Sequence, residues 1–190
     1  MYKIANLILG SSNQSKINEY NNFGLNLKTL TIKDLKEVDG SELEVIIHKV
    51  LELGEENIIV EDTSLQVEGS NVGVNAKWLM DSLHTNQIYN NRKATWTVYI
   101  GLKCNDQIYV FTSSTTGVIS QSKAHNRSFG FDAIFIPDGS DKTLFELSSL
   151  GRKADFSPRK KAIDQLLSKQ IIYNIKASEI PPWTGKYQAE

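Results

Sequence analysis

An α/β protein built on a mixed sheet is the fold class this chain predicts, and three observations carry it. Compact apolar runs such as KIANLILG (3–10) and NIIVED (57–62) have the composition of buried strands. Segments of helical spacing lie between them, and SELEVIIHKVLELG (41–54) is the clearest. Farther on, ATWTVYIGLKCNDQIYVFTSSTTGVI (94–119) reads as two β-rich runs joined at Asn105-Asp106, the pattern of a hairpin.

The elements follow in order. KIANLILG, closed by Gly10, predicts a first core strand. QSKINEYNNF (14–23) predicts a short helix with Gly24 as its cap, and LNLKTLTI (25–32) alternates as a second strand would. In 41–54, Leu43, Ile46, Ile47 and Val50 share a face, with Ser41 as N-cap and Gly54 as the stop. NIIVEDTSLQVEG (57–69) predicts a strand ending at its acidic pair, then a turn and another short strand. GVNAKWLMDSLHTNQIYNN (73–91) looks helical in pieces. FGFDAIFIPDG (129–139) gives a short strand ending in a Pro-Asp-Gly turn. SPRKKAIDQLLSKQ (157–170) is a last helix, with Ser157 as N-cap and Pro158 in its first turn. A single domain over 1–190 is expected, with its core at about 3–170 and a loosely held tail at 177–190.

Composition narrows the function classes. The chain has 190 residues, 40% apolar and 23% charged, enough for an ordinary core. Its 21 basic and 22 acidic side chains leave a net charge of −1, which gives no general attraction to nucleic acid or anionic membrane. Cys104 is the sole cysteine, so a disulfide framework and a cysteine-based zinc site are excluded, and a reducing, cytoplasmic setting is expected. No stretch approaches the length of a membrane span, and the N-terminal run reads as a strand and not as a signal peptide.

Several stretches can carry chemistry, and each has a plainer reading beside it. Gly10 to Ile17 has the Gly-to-Lys spacing of a P-loop, but Ser15 stands for its second Gly and Ile17 for its Ser/Thr. A looser phosphate cradle of Ser11, Ser12, Asn13 and Lys16 competes with an ordinary strand–helix turn. Ser41-x-x-Glu44 has the form of a capping box. Glu61 and Asp62 are either ligands at a strand end or the opening of a turn. Phe129, Gly130, Phe131 and Asp132 either stack on a planar base or pack a core strand. Arg159, Lys160 and Lys161 oppose the dipole of their helix, which an anion or a base carbonyl nearby would explain.

The order of these motifs is more specific than any one of them. A strand followed by Ser11-x-Asn13-x-x-Lys16, the helical Glu44, VEDTSL (60–65), AKWLMDSL (76–83), FGFDAIFIPDG and Lys153…Ser157-x-Arg159 together resemble the inosine triphosphate pyrophosphatase family, in its eukaryotic form. The resemblance runs from about residue 3 to residue 167. It implies a long twisted mixed sheet flanked by helices, in two lobes with the nucleotide between them, and a homodimer. It implies that a purine nucleoside triphosphate, of the ITP, dITP or XTP kind, is cleaved to the monophosphate and pyrophosphate with Mg²⁺.

By the same resemblance, Ser11, Ser12, Asn13 and Lys16 would cradle phosphate, and Lys49 and Lys77 would contact it. Glu44 and Asp62 would bind metal, with Asp62 also the catalytic base beside Lys16, and Thr63 on the substrate. Phe129, Gly130, Phe131 and Asp132 would enclose purine and sugar, and Lys153 and Arg159 would reach the base. Four departures stand out. Pro158 replaces the family's usual histidine and cannot donate to a base; Ser15 and Ala133 replace a Gly or Lys and a Pro; the loop EGSNVGV (68–74) is short. The hydrolytic residues are kept while the purine-reading corner is altered. Hydrolysis with a shifted base preference is therefore expected; the alternative is a degenerate member that binds a nucleotide without cleaving it.

Overall fold

The computed structural model describes residues 1–32, 35–121 and 129–188. Its strands are β1 (Ile8–Gly10), β2 (Lys28–Leu30), β3 (Ile58–Val67), β4 (Lys93–Cys104), β5 (Gln107–Ile119), β6 (Phe135–Pro137) and β7 (Tyr173–Lys176). Its helices are α1 (Gln14–Asn22), α2 (Glu42–Leu53), α3 (Met80–Thr85), α4 (Leu144–Ser149) and α5 (Pro158–Ser168). Among the described residues the strands form one seven-stranded sheet in the order β2-β1-β3-β4-β5-β6, with β7 also on β5. β1 runs parallel to β2 and β3, while β5 is antiparallel to β6 and β7, so the sheet is mixed as expected.

The chain divides into two compact units. The first comprises Met1–Asp62, Val98–Ser113 and Arg159–Glu190; the second comprises Thr63–Thr97 and Ser114–Pro158. Strands β3, β4 and β5 each contribute residues to both.

In the first unit, α2 forms where its spacing predicts. Ser41 and Glu44 make a reciprocal capping box, and Gly54 ends the helix at φ +71°, a left-handed conformation that glycine adopts without strain. Ile46, Ile47 and Val50 pack on Val60, Ile108 and Val110. The helix lies so close to β4 that a Cβ at Gly101 would sit 2.8 Å from Val50 and 2.9 Å from Ile46. In the second unit, Trp96 is buried with its ring edge-on to Phe131 and Phe135, at 5.5 and 6.4 Å. The hairpin turn is as expected: Asn105 and Asp106 take φ of 51° and 60°, the left-handed pair of a two-residue hairpin loop.

Four expectations are corrected. The first strand is shorter, because Ile4–Asn6 form a 3₁₀ turn closed by the Leu7 N–H on Ile4 O. The second strand keeps only Lys28–Leu30, since the Leu25 N–H closes the end of α1 on Tyr20 O. The acidic pair does not end a strand: β3 continues unbroken to Val67, so Glu61 and Asp62 lie in mid-strand. The tail is held as far as residue 188, by the Asp39 N–H on Lys186 O, the Gln188 N–H on Glu37 O and a Val38–Tyr187 bridge. Residues 189–190 of that expected tail lie outside the described residues.

Candidate active site

The first unit holds the acidic and basic residues in two linked clusters, and alternation along β3 separates them. Successive side chains on a strand face opposite ways, so Glu61 and Asp62 serve different partners.

Glu61 is the centre of a buried ionic network. Arg159 grips it as a fork, Nε donating to Oε2 and Nη2 to Oε1, both at 2.8 Å. The Arg159 side chain is 2% exposed and that of Glu61 0%. Arg159 Nη1 also donates to Glu19. Lys16 reaches over from α1, its Nζ 3.2 Å from Glu61 Oε1 and donating to Glu61 O at 3.4 Å. Burial alone would raise the Glu61 carboxyl; Arg159, Lys16 and the Tyr20 hydroxyl outweigh it and hold the group down at about 2.

Asp62 is also buried, at 8% exposure, but more weakly compensated. Lys49 of α2 donates to Asp62 Oδ1 at 3.0 Å and to Glu37 Oε1 at 2.8 Å. Burial raises the Asp62 carboxyl, Glu37 pushes it the same way, and Lys49 and Lys16 oppose them without cancelling the shift. A carboxylate made more basic in this way is suited to take a proton from water. An ammonium has three donors. Lys49 directs two to Asp62 and Glu37, which leaves it one for a further acceptor, while Lys16 donates one to Glu61 O and lies in ion-pair contact with Glu61 Oε1.

The turn before α1 is closed by its own side chains. Ser11 Oγ accepts from the Asn13 N–H, and Asn13 Oδ1 accepts from the Lys16 N–H, both at 3.1 Å; Ser12 is exposed. The plain turn and the cradle thus use the same residues. Glu44 makes its side-chain hydrogen bonds to its own helix cap. Its Oε2 accepts from the Ser41 N–H and Oγ at 2.8 and 2.7 Å, and these bonds lower its carboxyl. His48, a turn later, has its ring edge-on to Trp183 and is lowered by burial, which Glu44 opposes. Among the described residues, no three His, Cys, Asp or Glu side chains form a preassembled metal cage.

The second unit carries the aromatic residues. Lys153 is buried and paired with Asp132, its Nζ 5.7 Å from the centre of the Phe129 ring and 5.8 Å from that of Trp96. Gly130 sits at φ +55°, and its carbonyl oxygen is 2.9 Å from His84 Nε2. Phe131 packs into the core against Trp96, so of the two phenylalanines it follows the plainer reading. Lys77 holds its ammonium 4.9 Å from the ring of the exposed Trp78. Thr63, half-buried, is the first residue of this unit.

Arg159, which the resemblance would set on the base, is held here by two carboxylates. The anions that explain a basic residue in the first turn of α5 are Glu61 and Glu19, while Lys160 pairs with Asp164 at 2.7 Å. Sequence reasoning missed Glu19, Tyr20, Glu37 and Trp96. Trp96 alone left a signal, as an inward position in an alternating strand; Glu37 left none.

Comparison with known proteins places these features in context. A sequence profile of the Ham1 family matches residues 7–169. The dITP/XTP pyrophosphatase of Hyperthermus butylicus is 30% identical over 177 residues, covering 84% of this chain and 92% of that protein. The inosine triphosphate pyrophosphatase of Scheffersomyces stipitis is 32% identical over 173 residues, covering 84% and 87%. Among solved structures, a HAM1 protein from Coxiella burnetii superposes with a TM-score of 0.68 at 20% identity, and the Staphylococcus aureus Ham1 protein with 0.64 at 24%. Each comparison covers 86% of this chain and 97% of the other.

Proposed function

The chain belongs to the Ham1 family, and on that premise we propose that it is a nucleoside triphosphate pyrophosphatase acting on deaminated purine nucleotides. Water attacks the α-phosphorus, and the products are a nucleoside monophosphate and pyrophosphate. The observation that carries this reading is the Glu37–Lys49–Asp62 arrangement, which sets a buried, basic carboxylate beside an ammonium with a donor to spare.

Asp62 takes the proton of the attacking water. Lys16 and Lys49 offer their remaining N–H donors to phosphate oxygens and offset part of a triphosphate's roughly four negative charges. Because carboxylates already hold both ammonium groups, little reorganisation is needed when substrate arrives. By the family resemblance, Lys77 would add charge and Thr63 a hydroxyl. The Phe129 ring with Lys153 and Asp132 supplies a planar, polar edge for the base. Pro158, buried where a donor is usual, shifts which base is preferred.

The donor set is compatible with Mg²⁺, which favours hard oxygens and is often held by one or two carboxylates plus phosphates. Both bonds to Glu44 fall on Oε2, so Oε1 would join Asp62 in holding the ion. When bound, Mg²⁺ would polarise the phosphoryl oxygens and lower the pKa of water. A homodimer in the cytoplasm completes the reading; no helix among the described residues is long and apolar enough to cross a membrane.

Pyrophosphate release from ITP, XTP, dITP, GTP and ATP with Mg²⁺ tests the proposal. Turnover of at least one deaminated nucleotide well above ATP is expected. A thermal shift by ITP with no release from any of them would favour the non-hydrolysing alternative, and neither response would end the proposal.

A further inference from the structure

We propose that the C-terminal tail is an intrachain strap that fixes Glu37, and that Glu37 is thereby a positioning residue for Lys49. The inference rests on the phosphate-binding role given to Lys49 above. The family match ends at residue 169, so the tail lies beyond it. Residues 183–188 nevertheless grip the segment leading into α2. The Asp39 N–H donates to Lys186 O at 2.9 Å and the Gln188 N–H to Glu37 O at 2.8 Å. Gln188 Nε2 donates to Val38 O at 3.1 Å, and Val38 and Tyr187 form an antiparallel bridge. Lys36 holds its ammonium 5.2 Å from the centre of the Tyr187 ring. Trp183 sets its ring edge-on to His48 at 5.2 Å, and a Cβ at Gly40 would lie 3.0 Å from it.

The gripped residue is the one whose side chain matters. Glu37 has its carbonyl oxygen bonded by the tail and its carboxylate on Lys49 at 2.8 Å. Apart from the bridge at Val38, the described part of the segment before α2 has no ladder or helix of its own to fix it. Each bond from the tail removes backbone freedom that would otherwise blur the position of Glu37. Asp62 and Glu37 together hold the ammonium at two points. With Glu37 loosened, Lys49 would be anchored by Asp62 alone and free to swing about that contact.

The test uses the full chain with W183A/Y187A, with E37Q, and with all three changes combined. Faster amide exchange at Asp39 and Gln188 would show that the tail has come off. The strap then predicts faster acetylation of Lys49, read by peptide mass without nucleotide or metal, in both variants. It also predicts a KM for the nucleotide raised about tenfold with kcat changed far less. Combining the changes should add little to E37Q, because both act through one contact. Undocking that leaves Lys49 acetylation and KM at parental values would overturn the inference, as would losses that simply add. Should the double variant fail to fold, Y187A alone repeats the comparison, with amide exchange at Asp39 and Gln188 again showing whether the tail has come off. If the parent chain cleaves no nucleotide, the proposed function falls, and the acetylation comparison still decides the strap.

Discussion

The two units use charge in opposite ways. In the first, charges are numerous and meet one another: Glu61, Arg159, Glu19 and Lys16 form one cluster, and Asp62, Lys49 and Glu37 a second. In the second, the buried pair Lys153–Asp132 is set among the rings of Trp96 and Phe129. A buried network of charges can move protons and bind phosphate, whereas one ion pair among rings is better suited to recognising a planar group. On the proposed function, rate would belong to the first unit and selectivity to the second.

The sharpest way to break that assignment is Asp62→Asn. It removes the charge and keeps the volume, so kcat should fall by about 10²–10⁴ while circular dichroism and the melting temperature change little. Retained turnover would remove the first unit from the chemistry.

Within that unit the two clusters should behave differently. Glu61→Gln leaves Arg159 buried with its fork half matched, and urea unfolding should show a loss of roughly 3–5 kcal/mol. Arg159→Ala strands Glu61 in the same way and should cost folding more than substrate binding, the reverse of what its motif suggests. The same carboxyl sets an acid limit. Its folded value, about 2, lies below the ordinary 4.5, so its contribution is complete above about 4.5 and lost as pH falls toward 2. In acid titrations monitored by fluorescence, E61Q should lack the part of the loss that occurs in that window.

The second unit is probed by Phe129→Leu. Losing a stacking ring should weaken nucleotide binding by about 1–3 kcal/mol, raising KM and altering the ratio between bases with kcat nearly kept. A uniform loss of kcat would erase the distinction between the units. The smallest effect belongs to Ser41→Ala. It removes the N-cap of α2 and should cost about 1 kcal/mol of stability in chemical denaturation. A larger loss of activity than of stability would mean that the cap also serves Glu44 at the metal.

What could be read from residue order divides between local features and distant ones. The face of α2, its Ser41 cap and its Gly54 stop are local features, set by neighbours within a few residues, and the structure has them where spacing puts them. The Asn105-Asp106 turn is equally local. β3 was harder, because a polar EDTS run looks like a turn until both neighbouring strands are in place to satisfy its backbone. Arg159 was legible as a candidate, but its partner was not: Glu61 lies 98 residues away, and no short pattern ties the two together.

By itself the sequence determined the α/β class, the capped helix, the hairpin and the residue types that could handle a nucleotide, since these depend on short-range propensity and on ordered motifs. Only the tertiary structure decided which acid is spent on an arginine and which keeps its basicity, and that the tail grips Glu37. Those outcomes depend on burial and on distances between residues remote in the chain, and alternation along one strand turned two adjacent carboxylates to opposite uses.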